Sequence, residues 1–93
     1  MIFMQKKKIV YLILHYLTYD ETIKCVDSIK SYNKNNDYEI VIVDNGSNNR
    51  TGERLLNDYK KEKNVHIIIS KENLGFARGN NLGFKYIISE EWR

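Results

Sequence analysis

Ninety-three residues, 42% hydrophobic and 29% charged, are enough for one small folded domain or part of a larger one, and too apolar for a disordered chain. The formal net charge is +3, but the basic residues are interleaved with acids, as in Glu53, Arg54, Asp58, Lys60, Lys61, Glu62 and Lys63. That pattern reads as a solvated helix face, not a nucleic-acid stripe, and the single cysteine, Cys25, excludes an internal disulfide and fits a reducing, cytoplasmic setting.

Lys6, Lys7 and Lys8 precede the apolar run IVYLIL at residues 9–14, which is too short for a signal peptide or a membrane span and is expected to be a strand covered on both faces. From Asp20, a plausible N-cap, to Tyr32 the apolar residues Ile23, Val26, Ile29 and Tyr32 recur at helical spacing. NKNND is a loop by composition, and YEIVIVD at 38–44 is a second buried strand. After NGSNNRTG, residues Leu55, Leu56 and Tyr59 mark a second helix ending near Lys63, and VHIIIS at 65–70 is a third strand. Phe76, Ala77, Asn80, Phe84, Ile87 and Ile88 mark a third helix. Strand and helix alternate three times, so the expected fold is α/β and Rossmann-like: a three-layer half of a doubly wound sheet, all parallel, in strand order 3-2-1.

Ligands of such sheets bind beyond the carboxyl ends of the strands, which here carry HYLTYD, DNGSNN and KENLGFARGNN. Neither G-x-G-x-x-G nor the P-loop pattern is present. Asp44 closes a buried strand, where a carboxylate needs a donor, water or a ligand; an Asx-turn role and a ligand role both fit. A phosphoacceptor role is disfavoured, because the first loop offers only Asp20 as a further acid. Tyr16 reads either as a core aromatic or as a platform for a planar base. His15 has no acid or nucleophile paired with it in sequence, and Ser47 and Cys25 have no base. In ENLGFARGNNLG, glycines 75, 79 and 83 stand four apart, so Gly79 and Gly83 are expected to let a helix lie close to the sheet, with Asn73 as a turn or cap residue before it.

Three stretches together, ILHYLTYDETIKCVDSI, YEIVIVDNGSNNRTG and ENLGFARGNNLGFKYI, resemble successive landmarks of the family 2 glycosyltransferases of GT-A fold, in particular the rhamnosyltransferase-like bacterial members that build polysaccharides. The resemblance covers residues 8 to about 90. It implies a transferase that moves a sugar from a nucleotide diphosphate donor, of uridine or deoxythymidine type, to a saccharide or lipid-linked acceptor. By position, Tyr16 matches the aromatic beside the base, Asp44 the carboxylate at the nucleoside and Arg78 a basic position near the nucleotide; His15, Asn45 and Ser47 are further candidate loop contacts. His15 and Leu17 depart from the asparagines usual in the related subfamily.

On this reading residues 1–93 are a single incomplete domain, the N-terminal nucleotide-sugar-binding portion. The family's acidic motif, which holds Mn or Mg, and the acceptor half lie beyond this stretch, so no metal, no catalytic residue and no turnover are expected of it alone. The alternative is a non-catalytic α/β module stabilised by self-association, as a homodimer through an exposed sheet edge or by element exchange. Neither nucleic acid nor a transmembrane segment is expected, and the location is cytoplasmic or at the inner face of the membrane.

Overall fold

The β-branched runs form the centre of a four-stranded sheet in the computed structural model, which describes residues 2–5 and 8–92. Strands β1 (Ile2–Gln5), β2 (Lys8–His15), β3 (Tyr38–Asn45) and β4 (Val65–Ser70) lie side by side in chain order. β2, β3 and β4 are parallel, with Ile9 opposite Tyr38, His15 opposite Asp44 and Asn45 opposite Ser70. These three are the expected strands, but the sheet holds a fourth, so the expected order 3-2-1 describes only part of it.

The sheet as a whole is mixed, not parallel, which corrects the expectation. β1 pairs antiparallel with the first half of β2, Ile2 against Tyr11 and Gln5 against Lys8. IFMQ is too short to show an alternation, and the lysines after it read as the start of a separate signal. Antiparallel pairing needs only a tight connection, so four residues suffice to add an edge.

Helices α1 (Tyr19–Tyr32), α2 (Thr51–Tyr59) and α3 (Gly75–Glu90) cover both faces. On one face Val26 of α1 and Leu55 and Tyr59 of α2 meet Ile40, Ile42 and Val65. On the other, Ile87 of α3 meets Val10, Leu12, Val41 and Val43. Successive residues of β3 thus feed opposite cores, which is why its sequence is apolar without alternation. Each such aliphatic side chain contributes about 1.5–3 kcal/mol by leaving water.

Helix boundaries differ slightly from the periodicity. Thr18, not Asp20, is the residue before α1, and Asp20 sits in the first turn, where its charge complements the helix dipole. α2 stops at Tyr59, and a turn from Tyr59 to Glu62 leads into β4. At the amino ends of the strands Glu39 accepts from Lys8 Nζ at 2.9 Å and meets His66 Nε2 at 2.6 Å. His66 Nδ1 lies 3.1 Å from the Tyr86 hydroxyl and the ring stacks near Trp92, so this network fastens the far end of α3.

The glycine spacing in α3 does what the sequence suggested. Gly79 and Gly83 are buried, and a Cβ would stand 2.8 Å from Leu14 Cδ1 at Gly79 and would collide with Leu12 Cδ1 and Val43 Cγ2 at Gly83. Gly83→Ala should gain about 1 kcal/mol of helix propensity but lose about 1–3 kcal/mol to overpacking. The expected net result is a lower urea midpoint; an unchanged or higher one would mean that α3 does not depend on close approach.

Candidate functional site

At the carboxyl end of β2 the chain places a histidine where two helices converge. His15 is fully buried, with Nδ1 2.7 Å from Thr22 Oγ1 of α1 and Nε2 2.8 Å from Thr51 Oγ1 of α2. The Thr51 hydroxyl donates to Asn49 Oδ1 at 2.7 Å, so it accepts from His15, and the proton sits on Nε2. Nδ1 then accepts from Thr22. Both ring nitrogens are used inside the fold, so His15 lies beneath the loops and not on their surface. Burial lowers its pKa, against a smaller opposing effect from the Asp44 carboxylate.

Asn49 continues the chain outward. Its Nδ2 donates to the Leu17 carbonyl at 3.1 Å, and the Leu17 N–H donates to Ser47 Oγ at 2.8 Å. The loops after β2 and β3 are thereby stitched together. Leu17 has φ of 66°, a left-handed conformation that costs a leucine about 1 kcal/mol and that asparagine tolerates better. The two hydrogen bonds hold it there.

Asp44 is 1% exposed, beside the first turn of α2. Its Oδ1 accepts the Ser47 N–H at 3.2 Å, while Oδ2 has no hydrogen-bond donor among the described residues and lies against Gly52, where a side chain would collide with it. The positive end of α2 eases the charge, but the carboxylate is under-satisfied for a buried group. The Asx-turn reading and a further, unfilled acceptor are both present in one residue.

Asn45 organises the opposite face. Its Oδ1 accepts the Leu74 N–H at 2.9 Å, and its Nδ2 donates to Asn73 Oδ1 and to the Gly75 carbonyl, both at 3.2 Å. Asn73 Oδ1 also accepts the Gly75 N–H at 2.8 Å, so the expected turn residue does start α3. Gly46, with φ of 75°, lies so close to the backbone of Glu72 and Asn73 that no side chain fits between the two loops.

Of the remaining candidates, Tyr16 is 41% exposed at the rim, next in chain to His15. Arg78 is exposed on α3, where it lines a shallow cavity with Leu74, Asn81, Leu82 and Lys85 and not with Tyr16 or Asp44. His15, Ser47 and Asp44 are brought together; Arg78 stands apart on the flank. Thr22, Thr51 and Asn49 were missed. Asn49 and Thr51 carried a local signal, because Asn-x-Thr before a helix is an Asx-turn pattern, and Asn49 Oδ1 does accept the Thr51 N–H. Among the described residues no three His, Cys, Asp or Glu side chains are grouped so that they could hold a metal ion.

Because its pKa is lowered, His15 resists protonation in the folded chain that it accepts readily in the unfolded one. Its contribution to stability is complete above about pH 6.5, the ordinary histidine value, and is lost as pH falls from there through the lower folded value. His15→Asn should flatten that part of the stability-against-pH curve in chemical unfolding. Equal slopes for the two proteins would refute a neutral buried imidazole.

Residues 12–92 match the family model described as glycosyl transferase family 2. No curated protein and no solved structure matches the chain significantly. The match runs from the middle of β2 through α3 and includes every loop at the carboxyl end of the sheet. The chain belongs to glycosyl transferase family 2.

Proposed function

We propose that the carboxyl end of the sheet binds the nucleoside diphosphate part of a sugar donor of uridine or deoxythymidine type, for transfer to a saccharide or lipid-linked acceptor. The observation that carries this reading is Asp44, a buried carboxylate at the ligand-binding end of a parallel sheet with one oxygen lacking a donor. Uracil and thymine each present an imide N–H, which a carboxylate accepts in a charge-assisted hydrogen bond. Tyr16 offers a flat apolar surface beside it.

Asp44 is covered in this conformation, so binding on this reading requires the Ser47 loop to give way and exchange the Ser47 N–H for the nucleoside. Arg78 supplies positive charge for the diphosphate only if the ligand extends along the flank of α3. His15 acts by position: it holds α1 and α2 against the end of β2 and makes no ligand contact. We assign donor binding to residues 1–93. No helix among the described residues is long and apolar enough to cross a membrane, and a cytoplasmic location, at the inner face of the membrane or away from it, belongs to the same proposal.

Titration by calorimetry with UDP and dTDP, with ADP as a nucleotide lacking the imide N–H, tests this reading. The expected result is submillimolar binding of UDP or dTDP and weaker binding of ADP. Asp44→Asn should weaken the preferred nucleotide at least about tenfold, the loss of one charge-assisted hydrogen bond. No binding of UDP or dTDP at millimolar concentration would sink the donor-site assignment.

A further inference from the structure

The two edges of the sheet are protected very differently. β1 is a short edge of four residues, and very short edge strands offer little to pair with. β4 is longer, and VHIIIS contains no lysine, no acid, no proline and three consecutive isoleucines. Nothing pairs with its outer side among the described residues. The Ile40 N–H donates to the Asn64 carbonyl, so by alternation the peptide groups of Ile67 and Ile69 point away from β3. These are backbone groups that only water or another strand satisfies.

α2 packs on β4 and continues this edge on one face. Its Leu56 is 47% exposed and Ile69 of β4 is 40% exposed, which makes an apolar margin. Glu53 lies three residues before Leu56, and Lys60, the residue just past the end of α2 and still in helical conformation, four residues after it, hence on the same side. Both are exposed, and neither has an ion-pair partner among the described residues. A two-fold axis at this edge would run α2 antiparallel to its copy, with Leu56 against Leu56. Glu53 of each copy would then face Lys60 of the other. The charge order negative, apolar, positive is complementary to itself, which is the property an isologous interface requires.

We propose that β4 and α2 form a self-association surface at which two copies of this chain pair antiparallel, edge to edge, into one continuous eight-stranded sheet. A lipid surface fits this edge poorly, since hydrocarbon offers no partner for the outward peptide groups of Ile67 and Ile69. Ile69 stands opposite Asp44 in the sheet register, but the surface is made by the outer side of β4 and the exposed side of α2, so the proposal does not rest on donor binding.

Sedimentation velocity over a micromolar concentration series tests it. A monomer–dimer equilibrium is expected, weakened by added salt. Glu53→Lys should raise the dimer dissociation constant about tenfold or more, because it sets two like-charge pairs facing one another, and Ile69→Lys should do at least as much. The double exchange Glu53→Lys with Lys60→Glu keeps the self-complementary order and should restore association. A chain that stays monomeric at 100 micromolar overturns the proposal, leaving the edge to a different protein. So does a dimer indifferent to all three changes, which would place the interface elsewhere. Circular dichroism of each variant confirms that these exposed substitutions leave the fold intact.

Discussion

The carboxyl end of this sheet depends on one imidazole. Among the described residues His15 alone hydrogen-bonds both α1 and α2, through Thr22 and Thr51, and Thr51 passes the connection to Asn49 and on to Leu17. Each hydroxyl along that path has a settled direction. In a buried setting such a chain is stabilising only when every member is satisfied, and here the neutral Nε2–H form satisfies all of them. Asn45 performs the corresponding task on the other face, where its amide engages the backbone at the start of α3. Two polar residues, one per face, convert three helices on a sheet into a defined rim.

Much of the architecture was legible because it follows from apolar pattern. β-branched runs marked β2, β3 and β4, helical periodicity marked α1 and α3, and the four-residue glycine spacing in α3 announced close packing. β1 was not legible, since four residues carry no period. The polar rim was legible only in part. Asp44 and Asn45 stood out as polar groups at the end of a buried strand, but His15 to Thr51 spans thirty-six positions, a separation at which no sequence pattern predicts a hydrogen bond. The departure from asparagine at position 15 was visible, yet what replaced the amide's bonds became clear only from the two threonines.

Family membership and geometry constrain the site from different directions. The family match gives the chain's kinship, and the fold shows what its loops place at the carboxyl end of the sheet. That end carries one under-satisfied carboxylate, a rim tyrosine and a pair of stitched loops. Arg78 belongs to a separate flank, so the positive charge it carries is not built into the same cluster. The basic character of the chain is therefore of less consequence than the placement of a single acid.

Gly46 gives this arrangement a mechanical property. With no side chain and a left-handed backbone, it brings the loop after β3 into direct contact with the backbone of Glu72 and Asn73. The loop that shields Asp44 and the segment that launches α3 are consequently geared to one another, without a soft side chain between them to absorb a displacement. Uncovering the carboxylate is then not a local event: it leans on the first turn of a sixteen-residue helix whose far end is fastened through Tyr86 and His66. A small movement of the loop over Asp44 has a lever already attached to it.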